Sequence, residues 1–175
     1  QGFKGPIYAT LATKDLLEVL LKDSAHIQMM DAERAARRRR EGRGHEREPT
    51  VPLYSLAHVA STLEQVQARA YGQRFEPHPA VTVRFQDAGH ILGSAIVELW
   101  LADGHGGSRK LVASGDLGQP GRVILRDPTP IDEADVLLIE STYGDRLHKD
   151  LGSTLDELVE VVNNTAPRGN IIIPA

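Results

Sequence analysis

The sequence predicts a layered α/β fold, and three observations carry that expectation. Two apolar runs, 95–101 and 110–113, flank a glycine-rich turn, Asp103-Gly104-His105-Gly106-Gly107-Ser108, and together read as a β-hairpin. Three stretches with apolar residues at helical spacing lie on either side of it: one from Thr10, one from Ser55 and one from Ser153. A short, mostly apolar run, Ala134 to Ile139, reads as a central strand.

The chain has 175 residues, of which 41% are hydrophobic and 25% charged, the profile of a folded domain and not of a disordered one. Its formal charge of −4 gives no global attraction to nucleic acid, so any such attraction must be local. There are no cysteines, which excludes disulfides and thiolate metal sites and leaves His, Asp and Glu as ligands. No apolar run approaches the roughly 18 residues needed to span a bilayer, and no signal-peptide pattern opens the chain. A soluble cytoplasmic protein is the expectation, which makes the Asn163-Asn164-Thr165 sequon a chance match.

Taken in order, Gly2 to Pro6 is a turn and Ile7-Tyr8-Ala9 a short strand. Thr10 caps a helix with Leu16, Leu17, Leu20 and Leu21 on one face, and Asp23 or Ser24 is expected to interrupt it. A second helical stretch is predicted from about Ala25 to Arg40. It runs into a charged segment, Arg34 to Glu48, with arginines at 34, 37, 38, 39, 40, 43 and 47 against glutamates at 33, 41, 46 and 48. Arginine forks suit phosphate oxygens, so this segment is either an RNA-binding arm or a solvated helix end. Ser55 caps a helix expected to reach Ala70 with Val59, Leu63 and Val66 as its apolar stripe, and His58 sits on its surface. Phe75 to Val83 is read as extended, with Pro77 and Pro79 marking a sheet edge; Val81, Val83 and Phe85 alternate as a half-buried strand. The proline-rich segment 119–130 is a loop, Ser153 caps a helix to about Ala166, and Ile171 to Ile173 belongs to a strand over 170–174.

Three polar clusters follow or bracket these elements. His90, in Asp87-Ala88-Gly89-His90-Ile91-Leu92-Gly93-Ser94-Ala95, precedes the first hairpin strand; Asp116, in Ser114-Gly115-Asp116-Leu117-Gly118, follows the second. Antiparallel pairing brings these outer ends together, and one imidazole facing one carboxylate makes half of a zinc site. Glu140 ends the apolar run 134–139, where a carboxylate needs a partner.

These motifs, with Glu140-Ser141-Thr142-Tyr143-Gly144-Asp145-Arg146 and His148, resemble the β-CASP branch of the metallo-β-lactamase superfamily, the RNA-processing zinc nucleases. The opening Gly2 to Thr10 is similar to the segment that follows that family's second motif. The resemblance implies a partial αββα sandwich with one sheet incomplete. It makes residues 1–175 part of a single metallo-β-lactamase-like domain, an internal fragment. The upstream HxHxDH segment and the downstream β-CASP insertion are expected to lie outside it.

By the same resemblance His90 is a zinc ligand and Asp116 bridges two Zn²⁺ ions. Glu140 is the acidic residue that orients a histidine thought to protonate the leaving group. The function implied is hydrolysis of RNA phosphodiesters by two-metal water activation, with RNA as partner of the intact protein. The fragment, with two ligands, is expected to hold zinc weakly or not at all and to be inactive by itself. An exposed sheet edge is expected to favour homo-oligomers. Two alternatives stand beside this reading: a metallo-hydrolase of a small ester, lactone or thioester, and a non-catalytic RNA-binding module using the Arg34–Arg47 run.

Overall fold

A computed structural model describes residues 2–43, 51–147 and 151–173. Arg47 and its neighbours Glu46 and Glu48, His148, and Pro174-Ala175 lie outside the described residues. The chain divides into two compact units, 1–140 and 141–175. The first is a layered α+β arrangement of two sheets and two helices.

Strand β1 (Ile7–Thr10) leads directly into helix α1 (Leu11–Arg40). The Thr10 hydroxyl caps that helix, accepting from the Thr13 amide at 3.2 Å. The interruption expected at Asp23-Ser24 does not occur. The Ser24 hydroxyl accepts from Gln28 Nε2 (3.2 Å) and from the Tyr54 hydroxyl (2.7 Å), so it is occupied by side chains and does not compete for the helix backbone. Ala25, Ala32 and Ala35 are the residues α1 buries, a contact made by small side chains and not by large apolar ones.

Helix α2 (Leu56–Leu63) is shorter than expected. Ser55 and His58 form a reciprocal cap: the Ser55 hydroxyl accepts from the His58 amide, and His58 Nδ1 accepts from the Ser55 amide. Val66, expected on the helical stripe, instead opens β2 (Val66–Arg69), which pairs in parallel with β1 in the register Ile7 to Val66. Pairing with a distant strand overrides the local helical period here.

The second sheet has five strands in the order β3-β4-β5-β6-β7. They are β3 (Arg74–His78), β4 (Val81–Asp87), β5 (Ala95–Ala102), β6 (Ser108–Ala113) and β7 (Val136–Leu138). The extended stretch around Pro77 and Pro79 is a hairpin, not one strand, with Pro77 on the edge strand β3, where the register is irregular between Phe75 and His78, and Pro79 in the turn. The β5–β6 hairpin has the expected register, and Asp103 closes its turn by accepting the amides of His105 and Gly107. β7 corrects an expectation: it is not central. It pairs in parallel with β6 at the end of the sheet, and its residues are about half exposed.

Tyr8 of β1 packs at a tilt against Phe75, which meets Phe85 edge-on, joining the small sheet to one face of the large one. Toward the other face, Ala88, Ile96 and Val112 form a buried cluster with Leu117 and Ile131 packed against it. In the second unit, α3 (Leu151–Thr165) has Leu155, Leu158, Val159 and Val161 exposed. Residues 170–173, expected as a strand, have no regular structure. No described helix is long and apolar enough to cross a membrane.

Candidate metal centre

Two loops leave the same end of the β4–β5–β6 sheet, and each carries one expected ligand. The first, 88–94, is a tight backbone excursion that needs Gly89 (φ +64°) and Gly93 (φ +87°) in the left-handed region. Asp87 Oδ1 accepts the Gly89 amide at 2.9 Å, and Ser94 Oγ accepts the amides of His90 (3.2 Å) and Ile91 (3.3 Å). Outside partners hold the loop as well. The Thr10 and Thr13 hydroxyls donate to the Gly93 carbonyl, each at 3.0 Å, and the Tyr71 hydroxyl donates to the Ser94 carbonyl at 2.7 Å. Burial, with Asp87 nearby, pushes the Tyr71 phenol above its ordinary pKa, so it stays a proton donor.

The second loop, 114–118, lies directly against the first. The Gly118 amide donates to the Ala88 carbonyl at 2.8 Å, and a Cβ on Gly118 would sit 1.7 Å from the Gly89 carbonyl oxygen. Only glycine allows that approach. The result brings His90 Nε2 to 3.8 Å from Asp116 Oδ2, with both side chains open to solvent (43% and 74% exposed).

Glu140 joins the same corner from the end of β7. Its carboxylate accepts the Leu117 amide at 2.6 Å, one residue beyond Asp116. The Glu140 amide donates to Ser114 Oγ (3.1 Å), and the Ser114 amide donates to the Leu138 carbonyl (2.9 Å). An open cleft of about 510 Å³ is lined by 113–116 and 137–140. The structure therefore brings His90, Asp116 and Glu140 to one corner. Ser114 and Gly118, at the two ends of the Ser114–Gly118 motif, complete this corner. A hydroxyl at a strand end beside Gly-Asp was the available signal for Ser114; nothing local marked Gly118.

Tetrahedral zinc with bonds of about 2.0–2.1 Å holds neighbouring ligand atoms roughly 3.3 Å apart. The His90–Asp116 pair is close to that spacing, and nitrogen with carboxylate oxygen is a donor set zinc accepts. A catalytic zinc takes about three protein ligands, however. Among the described residues no group of three or more His, Asp or Glu side chains is placed to hold a metal. The pair fits part of a centre and does not complete one.

The chain is similar to several known proteins along almost all its length. A protein of Thermus thermophilus named ribonuclease TTHA0252 is 34% identical over 99% of this chain and 34% of its own length. An RNase J-like protein of Methanocaldococcus jannaschii is 35% identical over 96% of this chain and 34% of its own. The transcription termination factor FttA of Pyrococcus horikoshii is 30% identical over 99% of this chain and 24% of its own. The chain thus spans about a third or less of these curated relatives. No family model matches it.

Proposed function

From the chain's kinship with the β-CASP nucleases of the metallo-β-lactamase superfamily, we propose that it supplies two ligands and one positioning carboxylate to an RNA-cleaving, zinc-dependent phosphodiesterase. The observation that supports this most directly is the convergence of His90 and Asp116 at 3.8 Å, with Glu140 pinned to the next backbone amide. A bound metal pair would supply Lewis acidity and an activated water to phosphodiester hydrolysis. The chain's own part is to fix donors. The Ser94 hydroxyl and the Gly93 clamp set the His90 loop, while Glu140 and Ser114 fix the backbone that carries Asp116. With two donors, this polypeptide binds zinc weakly and cleaves nothing alone; further ligands must come from outside the described residues.

Zinc titration of the 175-residue chain by calorimetry, beside RNA cleavage by the full-length parent, tests the proposal. Weak, His90- and Asp116-dependent binding by the chain is expected, with RNA cleavage by the parent that Asp116→Asn abolishes. Tight stoichiometric zinc or hydrolysis by the chain alone would overturn its silence. A parent that turns over lactones or thioesters and leaves RNA intact would shift the reading to a small-ester hydrolase.

A further inference from the structure

Helix α1 is a rod with two differently built ends. Its N-terminal turn is bound to the candidate centre, through the Thr10 and Thr13 hydroxyls on the Gly93 carbonyl. Its C-terminal two turns carry Arg34, Arg37, Arg38, Arg39 and Arg40. At 1.5 Å per residue the arginine end stands about 40 Å from Thr13 along the helix. Those side chains therefore cannot take part in chemistry at His90 and Asp116.

Arg34, Arg37 and Arg40 follow one another at a spacing of three, along one ridge of the helix. Ala32 and Ala35 bury another face and leave this ridge outward. Arg34 reaches Asp31 only at 3.6 Å and Arg37 reaches Glu41 only at 4.0 Å, with the arginine side chains 59% and 78% exposed. Such loose surface pairs contribute little and exchange readily for another anion. The helix dipole favours cations in the last turn, which accounts for part of the run. It does not account for Arg34, nearly two turns before the helix ends, nor for like charges set as neighbours at three- and four-residue spacing, an arrangement that destabilises a helix.

We propose that this ridge is a docking site for the phosphate backbone of single-stranded RNA, separate from the metal centre and held at a fixed distance from it by α1. The choice of RNA rests on the nuclease reading above; the cationic ridge stands independently of it. Guanidinium groups suit phosphate oxygens. No aromatic residue is interleaved in the run from Arg34 to Arg43, so recognition is of backbone charge and tolerates any sequence. At a stacked rise of 3.4 Å per nucleotide, a strand of roughly a dozen nucleotides bridges ridge and centre.

Fluorescence anisotropy of a labelled oligouridylate with the 175-residue chain, in excess EDTA, tests this without involving the metal. Three phosphate contacts on a single strand give a slope of log K against log [salt] of about −2, so a fourfold rise in salt weakens binding roughly tenfold or more. The triple variant R34Q/R37Q/R40Q should lose about tenfold in affinity at low salt and most of that slope. The matching lysine triple should keep the slope, and Arg122→Gln, a charge loss elsewhere on the surface, should change neither. Circular dichroism checks that α1 is intact. Were the glutamine triple to unfold, a wild-type slope near zero or full binding by R37Q would still overturn the proposal. So would equal affinity for polyglutamate or for anionic vesicles. Failure of zinc binding or RNA cleavage, with salt-dependent RNA binding retained, would count against the nuclease reading alone.

Discussion

Glu98 and Asp116, two carboxylates of the β5–β6 hairpin and its flank, have opposite surroundings. Glu98, in the middle of β5, is fully buried. One of its oxygens accepts from Arg84 Nε; the other accepts from Arg84 Nη2 at 3.0 Å and lies 2.8 Å from Lys110 Nζ. Trp100 lies beside all of this, with the Arg84 and Lys110 cations each 5.3 Å from its ring centroid. Asp116, just beyond β6, is 74% exposed and lies 3.8 Å from His90. A carboxylate with its acceptor capacity filled is an element of the sheet. A carboxylate held in place by backbone contacts, with its oxygens facing solvent, is available to a ligand.

Removing Glu98 should give the largest effect. Glu98→Ala leaves Arg84 and Lys110 facing each other without compensation and should cost about 3–5 kcal/mol, read from urea denaturation. The pH dependence follows from the same contacts. Burial alone would raise the Glu98 pKa, but the hydrogen bonds from Arg84 and Lys110 outweigh it and hold it below the ordinary carboxylate value. A depressed folded pKa contributes stability above the unfolded value and loses it as pH falls through the folded one. The gap between wild type and Glu98→Gln should therefore close as pH drops below about 4. A gap that stayed constant into acid would mean that Glu98 is not ionised in the fold.

Gly118→Ala drives a methyl group into the Gly89 carbonyl, a backbone atom that cannot turn aside, and should cost about 2–3 kcal/mol. It should also separate the two loops, so that, under the proposed function, zinc affinity falls with stability. Glu140→Ala removes the acceptor from the Leu117 amide and should cost about 1–2 kcal/mol. Hydrogen exchange at the Leu117 amide should speed up in that variant. An unchanged exchange rate would show that another group holds the loop.

The hairpin and the placing of His90 and Asp116 at its outer ends were legible because the cues are local: two short runs, a glycine-rich turn and antiparallel geometry. The run from Ala95 to Leu101 was read as apolar although it contains Glu98, and its burial became visible only with Arg84 and Lys110 supplied by neighbouring strands. Within α1, Ser24 is engaged by Tyr54, and just past α2, Val66 pairs with Ile7; both partners lie far away in sequence. The same holds for Gly118, whose requirement is the Gly89 carbonyl. Apolar composition placed β7 at the centre of the sheet, but composition records hydrophobicity and not which strand lies beside which.

The smallest expected effect on stability is the most informative. Asp116→Asn alters an exposed side chain that, among the described residues, pairs with an exposed histidine, so the stability of this chain should change by no more than about 0.5 kcal/mol. If Asp116 is a zinc ligand as proposed, the same substitution should lower zinc affinity at least about tenfold, since outer-sphere partners alone carry 10–100-fold. Glu98→Ala should do the reverse, with a large loss of stability and near wild-type zinc affinity in the protein that remains folded. If Asp116→Asn instead destabilised the chain while sparing the metal, Asp116 would be a turn residue and the metal centre would have to be assigned elsewhere.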